Sequence, residues 1–142
     1  RKLHDERMTE QVVFLGRLDD EQLAAAYRGA EATVLASDYE GFGLPPLEAM
    51  VHGTPVVTSN VSSLPEVVGN AAVLVNPENV FEIMRALHRV LIDQALRGRM
   101  KERGYQQAAK FSWETSVRRI LETYSQIAHG GRVHSNHQPA AD

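Results

Sequence analysis

Four short apolar runs punctuate the first half of the chain and alternate with segments of helical pattern. They are "QVVFLG" (Gln11–Gly16), "EATVLA" (Glu31–Ala36), "TPVVTS" (Thr54–Ser59) and "AAVLVN" (Ala71–Asn76). Runs this short and this continuous read as strands buried on both faces. Between them, "DDEQLAAAYRGA" carries acids in its first turn and sets Leu23, Ala26 and Tyr27 on one face, a helix in keeping with its dipole. "LPPLEAMVHG" reads as a helix stopped by Gly53, and "VSSLPEVVGN" as a turn with up to one helical turn. From Asn79 onward the pattern is helical in three stretches, and Ser112, followed by Glu114 and Thr115, suits a capped start for the last. Apolar strands alternating with helices predict an α/β, Rossmann-like domain, a parallel sheet flanked by helices. Residues 1–128 are expected to form this domain in partial form, and residues 129–142 a disordered tail.

Composition narrows the function classes. A chain of 142 residues with 43% hydrophobic residues sustains one real core. A formal charge of −3 offers nothing for nucleic acid, so no nucleic-acid partner is expected. The absence of cysteine excludes disulfides and thiol chemistry and fits a reducing, cytoplasmic setting. No apolar run approaches the ~20 residues that span a bilayer, and "RKLHDERMTEQ" has no signal-peptide pattern.

The corner "SDYEGFGLPPLEAMVHGTPVV" (Ser37–Val57) carries the chemistry. In a parallel α/β sheet, ligands bind beyond the carboxyl ends of the strands, and this corner follows such an end. Gly41 and Gly43 let a ligand approach the backbone closely. Pro45 and Pro46 suit a first helical turn, where a missing N–H costs little. The remaining bare amides of that turn suit an anion such as phosphate. Glu40 and Glu48 only accept hydrogen bonds when ionised, so they belong beside hydroxyls rather than on the phosphate. An anion flanked by hydroxyl-rich groups on both sides describes a nucleotide sugar. On pattern alone the corner reads equally well as a plain turn with an acid complementing the helix dipole. A glycosidase acid/base pair fits less well, because nothing here builds an open sugar cleft.

The run "EGFGLPPLEAMVHGTPVVTSNVSSLPEVVGNAAVLVNPEN" resembles the donor-site signature of the retaining glycosyltransferases of family 4, of the two-domain GT-B type. Their Glu, seven residues, Glu hallmark fits Glu40 and Glu48, and the resemblance runs from about Val12 to Ile127. It implies that Glu40 is the catalytic-site acid holding donor-sugar hydroxyls. Gly41, Phe42, Gly43 and Leu44 would lend amides to the sugar and diphosphate, and Glu48 would hold the ribose. Arg17 and Leu18 match the region bordering the base. Thr58 and Ser59 match the pocket rim, or equally a strand-end turn. "SNVSSLPEVVG" is similar to members that use GDP-mannose. No essential metal and no cofactor are implied, the nucleoside diphosphate sugar being the substrate.

The family's upstream glycine-rich strand end, its Arg and Lys for the diphosphate and its N-terminal acceptor domain have no match in these residues. The expectation is therefore the C-terminal donor half of a longer transferase, with a glycan, lipid or small-molecule acceptor held by the other domain. Such a fragment alone should have little activity. The last helix resembles the one that crosses back to the N-terminal domain, and Trp113 is expected to pack on another apolar surface. The alternatives are a non-catalytic nucleotide-sugar-binding or regulatory module, and a sugar-nucleotide epimerase.

Other candidates are weaker. His129, His134 and His137 match no zinc spacing. His52 should sit at a helix end and His88 on a surface. The basic segment "RGRMKERGYQQAAK" reads as a solvated helix face. Its sharper alternative is peripheral contact with an anionic membrane.

Overall fold

The structure, a computed structural model, describes residues 11–128. In chain order its elements are α1 (Asp20–Gly29), β1 (Thr33–Leu35), α2 (Leu44–Val51), β2 (Val56–Ser59), α3 (Leu64–Val68), β3 (Val73–Val75), α4 (Val80–Ile92), α5 (Gln94–Ala108) and α6 (Trp113–Ala128). The strands form one parallel sheet in the order β1-β2-β3, with Thr33 opposite Val56 and Val57 opposite Val73. The expected α/β architecture, a parallel sheet flanked by helices, is the one found.

Side chains alternate across a strand, so neighbouring valines of β2 feed different cores. Val56 joins Leu47, Ala49, Met50, Val67, Val68, Ala71 and Ala108, uniting α2, α3 and the end of α5. Val57 joins Val75, Ala86, Val90 and Met100 beneath α4 and α5. All four residues of β2 are buried. Caps place the helices: Asp19 and Gln22 form a capping box on α1, Asn79 caps α4, and Asp93 ends α4 while its carboxylate caps α5. Gly53 terminates the α2 region at φ +74°, with Tyr105 of α5 packed where a Cβ would stand.

Two expectations fail. Gln11–Gly16 is not a strand, and Val13 and Phe14 are 76% and 81% exposed. A strand needs a neighbouring edge to satisfy its amides and carbonyls, and no described strand pairs with this run. Among the described residues the sheet therefore has three strands where four were expected. Trp113 is 87% exposed rather than packed on a substitute surface, and α6 has no buried residue. The tail 129–142, with its three histidines, lies outside the described residues. His52 does sit at the end of α2, and His88 is exposed.

Candidate functional site

β1 ends at Leu35, and the chain crosses to α2 through residues 36–43. Gly43 enters α2 in the left-handed region, at φ +100° and ψ 50°. A Cβ there would also stand 2.8 Å from Leu64 Cδ2, so only glycine lets the corner lie against α3. Pro45 and Pro46 follow in the first turn, as their fixed φ favours. The N–H groups of Gly41, Phe42 and Gly43 make no hydrogen bond among the described residues. No side chain caps α2, so its positive dipole end is bare.

The two glutamates are held differently. Glu40 accepts a hydrogen bond from Ser37 Oγ at 2.9 Å. Glu48, one turn into α2, accepts one from the Tyr27 hydroxyl at 3.1 Å. Neither is in an ion pair among the described residues; the ion pair there joins Arg97 to Glu31. Glu48 lines a cavity of about 510 Å³ with Phe42, Leu44, Leu47, Phe111 and Trp113. Glu40 is not among the residues lining it. The corner thus puts one acid in an apolar-walled cavity and leaves the other outside its lining.

Tyr27 escaped the sequence reading as a site residue. Its carbonyl accepts from Thr54 Oγ1 at 2.6 Å, and its ring stacks on His52 at 6.0 Å between centroids. Burial, together with the hydrogen bond and negative charge of Glu48, pushes its phenol up to about 12. The phenol therefore stays a donor to Glu48. A tyrosine on the inward face of α1 needs a partner for its hydroxyl, which was the available signal. Ser62 and Ser63 were missed as well; their hydroxyls reach the backbone of Glu40 and Phe42.

The remaining predicted residues lie elsewhere. Arg17 and Leu18 line a separate crevice with Asp19, Asp20 and Gln22 at the start of α1. Thr58 and Ser59, expected at the pocket rim, are fully buried instead. Thr58 Oγ1 donates to the Leu35 carbonyl at 2.9 Å, which ties β2 to β1 from within. Ser59 Oγ has no hydrogen-bond partner among the described residues. Strand-end polarity suggested a rim, but β2 is the central strand and is covered on both faces. Among the described residues no group of three or more histidines or acids stands together as a metal site.

Residues 1–107 match the family described as glycosyl transferases group 1. The chain belongs to that family. It is 45% identical over 111 residues to an O-antigen chain mannosyltransferase B of Escherichia coli, covering 78% of this chain and 29% of that protein. It is 39% identical over 117 residues to the serotype-specific mannosyltransferase WbdA of Escherichia coli, covering 82% of this chain and 14% of that one. Among solved structures, a sucrose-phosphate synthase from Thermosynechococcus elongatus superposes with a TM-score of 0.80 at 31% identity, over 91% of this chain and 33% of that one. The chain thus spans 14% and 29% of the lengths of the WbdA and mannosyltransferase B relatives. No helix among the described residues is long and apolar enough to cross a membrane.

Proposed function

We propose that this group 1 domain is the donor-binding half of a retaining, family 4 glycosyltransferase of GT-B type. It would hold a nucleoside diphosphate sugar while the glycosyl group passes to an acceptor hydroxyl with retention at the anomeric carbon. A mannosyl group from GDP-mannose is the finer reading, favoured by the mannosyltransferase names of the relatives. The acceptor, a glycan, lipid or small molecule, would be held by a further domain.

The observation that carries this reading is the corner. Among the described residues, two carboxylates without a cation partner flank three backbone N–H groups without an acceptor, at the carboxyl end of a parallel strand. Fixed amides and the end of a helix dipole are suited to the charge that develops on a departing diphosphate. They need no reorganisation as the bond breaks. Glu40 would hold sugar hydroxyls, and Glu48, oriented by Tyr27, would hold the ribose. The protein needs no cofactor for this step, since the donor is the substrate.

The test uses the full-length protein. Glu40→Ala should lower turnover on the order of 10²-fold with nucleoside diphosphate affinity nearly intact. Glu48→Ala should weaken nucleoside diphosphate binding itself, about tenfold or more. If both variants are silent in turnover and in calorimetry with GDP and UDP, the donor does not lodge at this corner.

A further inference from the structure

Ser63 occupies the residue position that normally caps a helix, immediately before α3, yet its hydroxyl makes no capping bond. It sits instead between two carbonyl oxygens of the corner, 3.0 Å from Glu40 O and 2.9 Å from Phe42 O. Ser62 beside it is in the left-handed region, at φ 59°, where serine is uncommon. Its hydroxyl donates to Glu40 O at 2.7 Å and accepts from Glu40 N at 3.3 Å. Such a conformation persists when the surroundings over-determine it, and the reciprocal pair of bonds to Glu40 does so. Leu64, next in the chain, fills the space that a side chain at Gly43 would need. Three successive residues, 62 to 64, therefore grip the corner along its length.

The grip has a directional consequence. Every peptide bond described is trans, so a carbonyl and the following N–H point opposite ways. The Glu40 carbonyl turned to the serines sends the Gly41 N–H away from them. The Phe42 carbonyl turned to Ser63 does the same for the Gly43 N–H. These are two of the three unpaired N–H groups of the corner. A Cβ built on Gly41 would meet nothing within 4 Å, so the space beside its Cα is open.

We propose that Ser62 and Ser63 are positioning residues that set the peptide planes of the corner and aim the Gly41 and Gly43 N–H groups at the donor diphosphate. The inference rests on the donor reading above and adds residues that reading did not use. The serine bonds are largely solvent-exposed, so water replaces them in the unfolded chain and they add little to folding. Their effect is on direction, and it reaches the ligand through its phosphates and not through its base.

The experiment is competitive inhibition of the full-length transferase by GDP and by guanosine, and by UDP and by uridine, with Tm measured alongside. Ser63→Ala should raise the inhibition constant of the diphosphate about tenfold relative to that of its nucleoside. Ser63→Thr keeps the hydroxyl and should restore the ratio. Ser62→Gly removes the hydroxyl at a backbone angle glycine adopts freely, and should shift the ratio in the same direction with Tm nearly unchanged. An unchanged ratio, or nucleoside and diphosphate weakening together as Tm falls, would make the serines merely structural and overturn the inference. Glu40→Ala and Glu48→Ala run in parallel separate the two failures. Silent glutamates sink the donor reading and this inference with it. Glutamates that respond beside serines that do not sink the inference alone.

Discussion

Val12–Leu15 reads "VVFL" and Val56–Ser59 reads "VVTS", and the more apolar of the two runs is the one left in solvent. β2 has a strand on each side and helices over both faces, so even Thr58 and Ser59 are buried. The earlier run has no partner strand among the described residues, and its phenylalanine faces water. Burial is a property of neighbours, and local hydrophobicity only states a preference for them. The same contrast separates α2, with Leu47, Ala49 and Met50 in the core, from α6, whose apolar residues Val117, Ile120, Leu121 and Tyr124 remain exposed.

The contrast can be broken or sharpened by measurement. The largest effect is expected at the centre: Met50→Ala should cost about 3 kcal/mol in denaturant unfolding, through lost transfer energy and a cavity. A loss below about 1 kcal/mol would mean that the centre is no better packed than the flank. Gly53→Ala should cost about 2 kcal/mol, because it forces a side chain into the left-handed region and against Tyr105. Thr58→Val keeps the shape and removes the hydroxyl that ties β2 to Leu35 O, for about 1 kcal/mol.

The titration of Tyr27 gives a finer reading of the same boundary. Its folded value of about 12 lies above the ordinary 10.0. Between those pH values the unfolded chain releases a proton that the folded chain keeps, so stability is fully present below pH 10.0 and falls as pH rises toward 12. Ultraviolet absorbance of the phenolate should show one late component that Tyr27→Phe removes. Persistence of that component in the variant would show that Tyr27 is not the half-buried donor to Glu48. The smallest effect belongs to the flank, where Phe14→Ser should change stability by less than about 0.5 kcal/mol. A cost of 2 kcal/mol or more would place that run in a core and end the contrast.

The corner was more legible than the sheet. "EGFGLPPLE" prescribes its own backbone: glycine for the left-handed entry to α2, prolines for its first turn, and acids on either side. Local chemistry of that kind acts over a few residues, and the chain carries it in order. Arg17 and Leu18 show the opposite case. They sit beside α1 in sequence and in space, and nothing local ties that crevice to the corner. Tyr27 reaches Glu48 across 21 residues, and Ser62 reaches Glu40 across 22. Pairings that distant have no local signature, since a tyrosine on an apolar face and a serine before a helix both have ordinary local roles.

By itself the sequence determined the helices, the caps of α1, α4 and α5, the αβ alternation and the glycine and proline backbone of the corner. Caps, glycines, prolines and apolar periods act through the next few residues, so they are written in the order of the chain. Only the tertiary structure decided which apolar runs became strands, that Thr58 and Ser59 belong to the core, that Tyr27 reaches the Glu48 carboxylate, and that Ser62 and Ser63 bond the backbone of Glu40 and Phe42. The physical reason is that pairing, burial and long-range hydrogen bonds depend on what stands opposite, and what stands opposite is set by the fold as a whole.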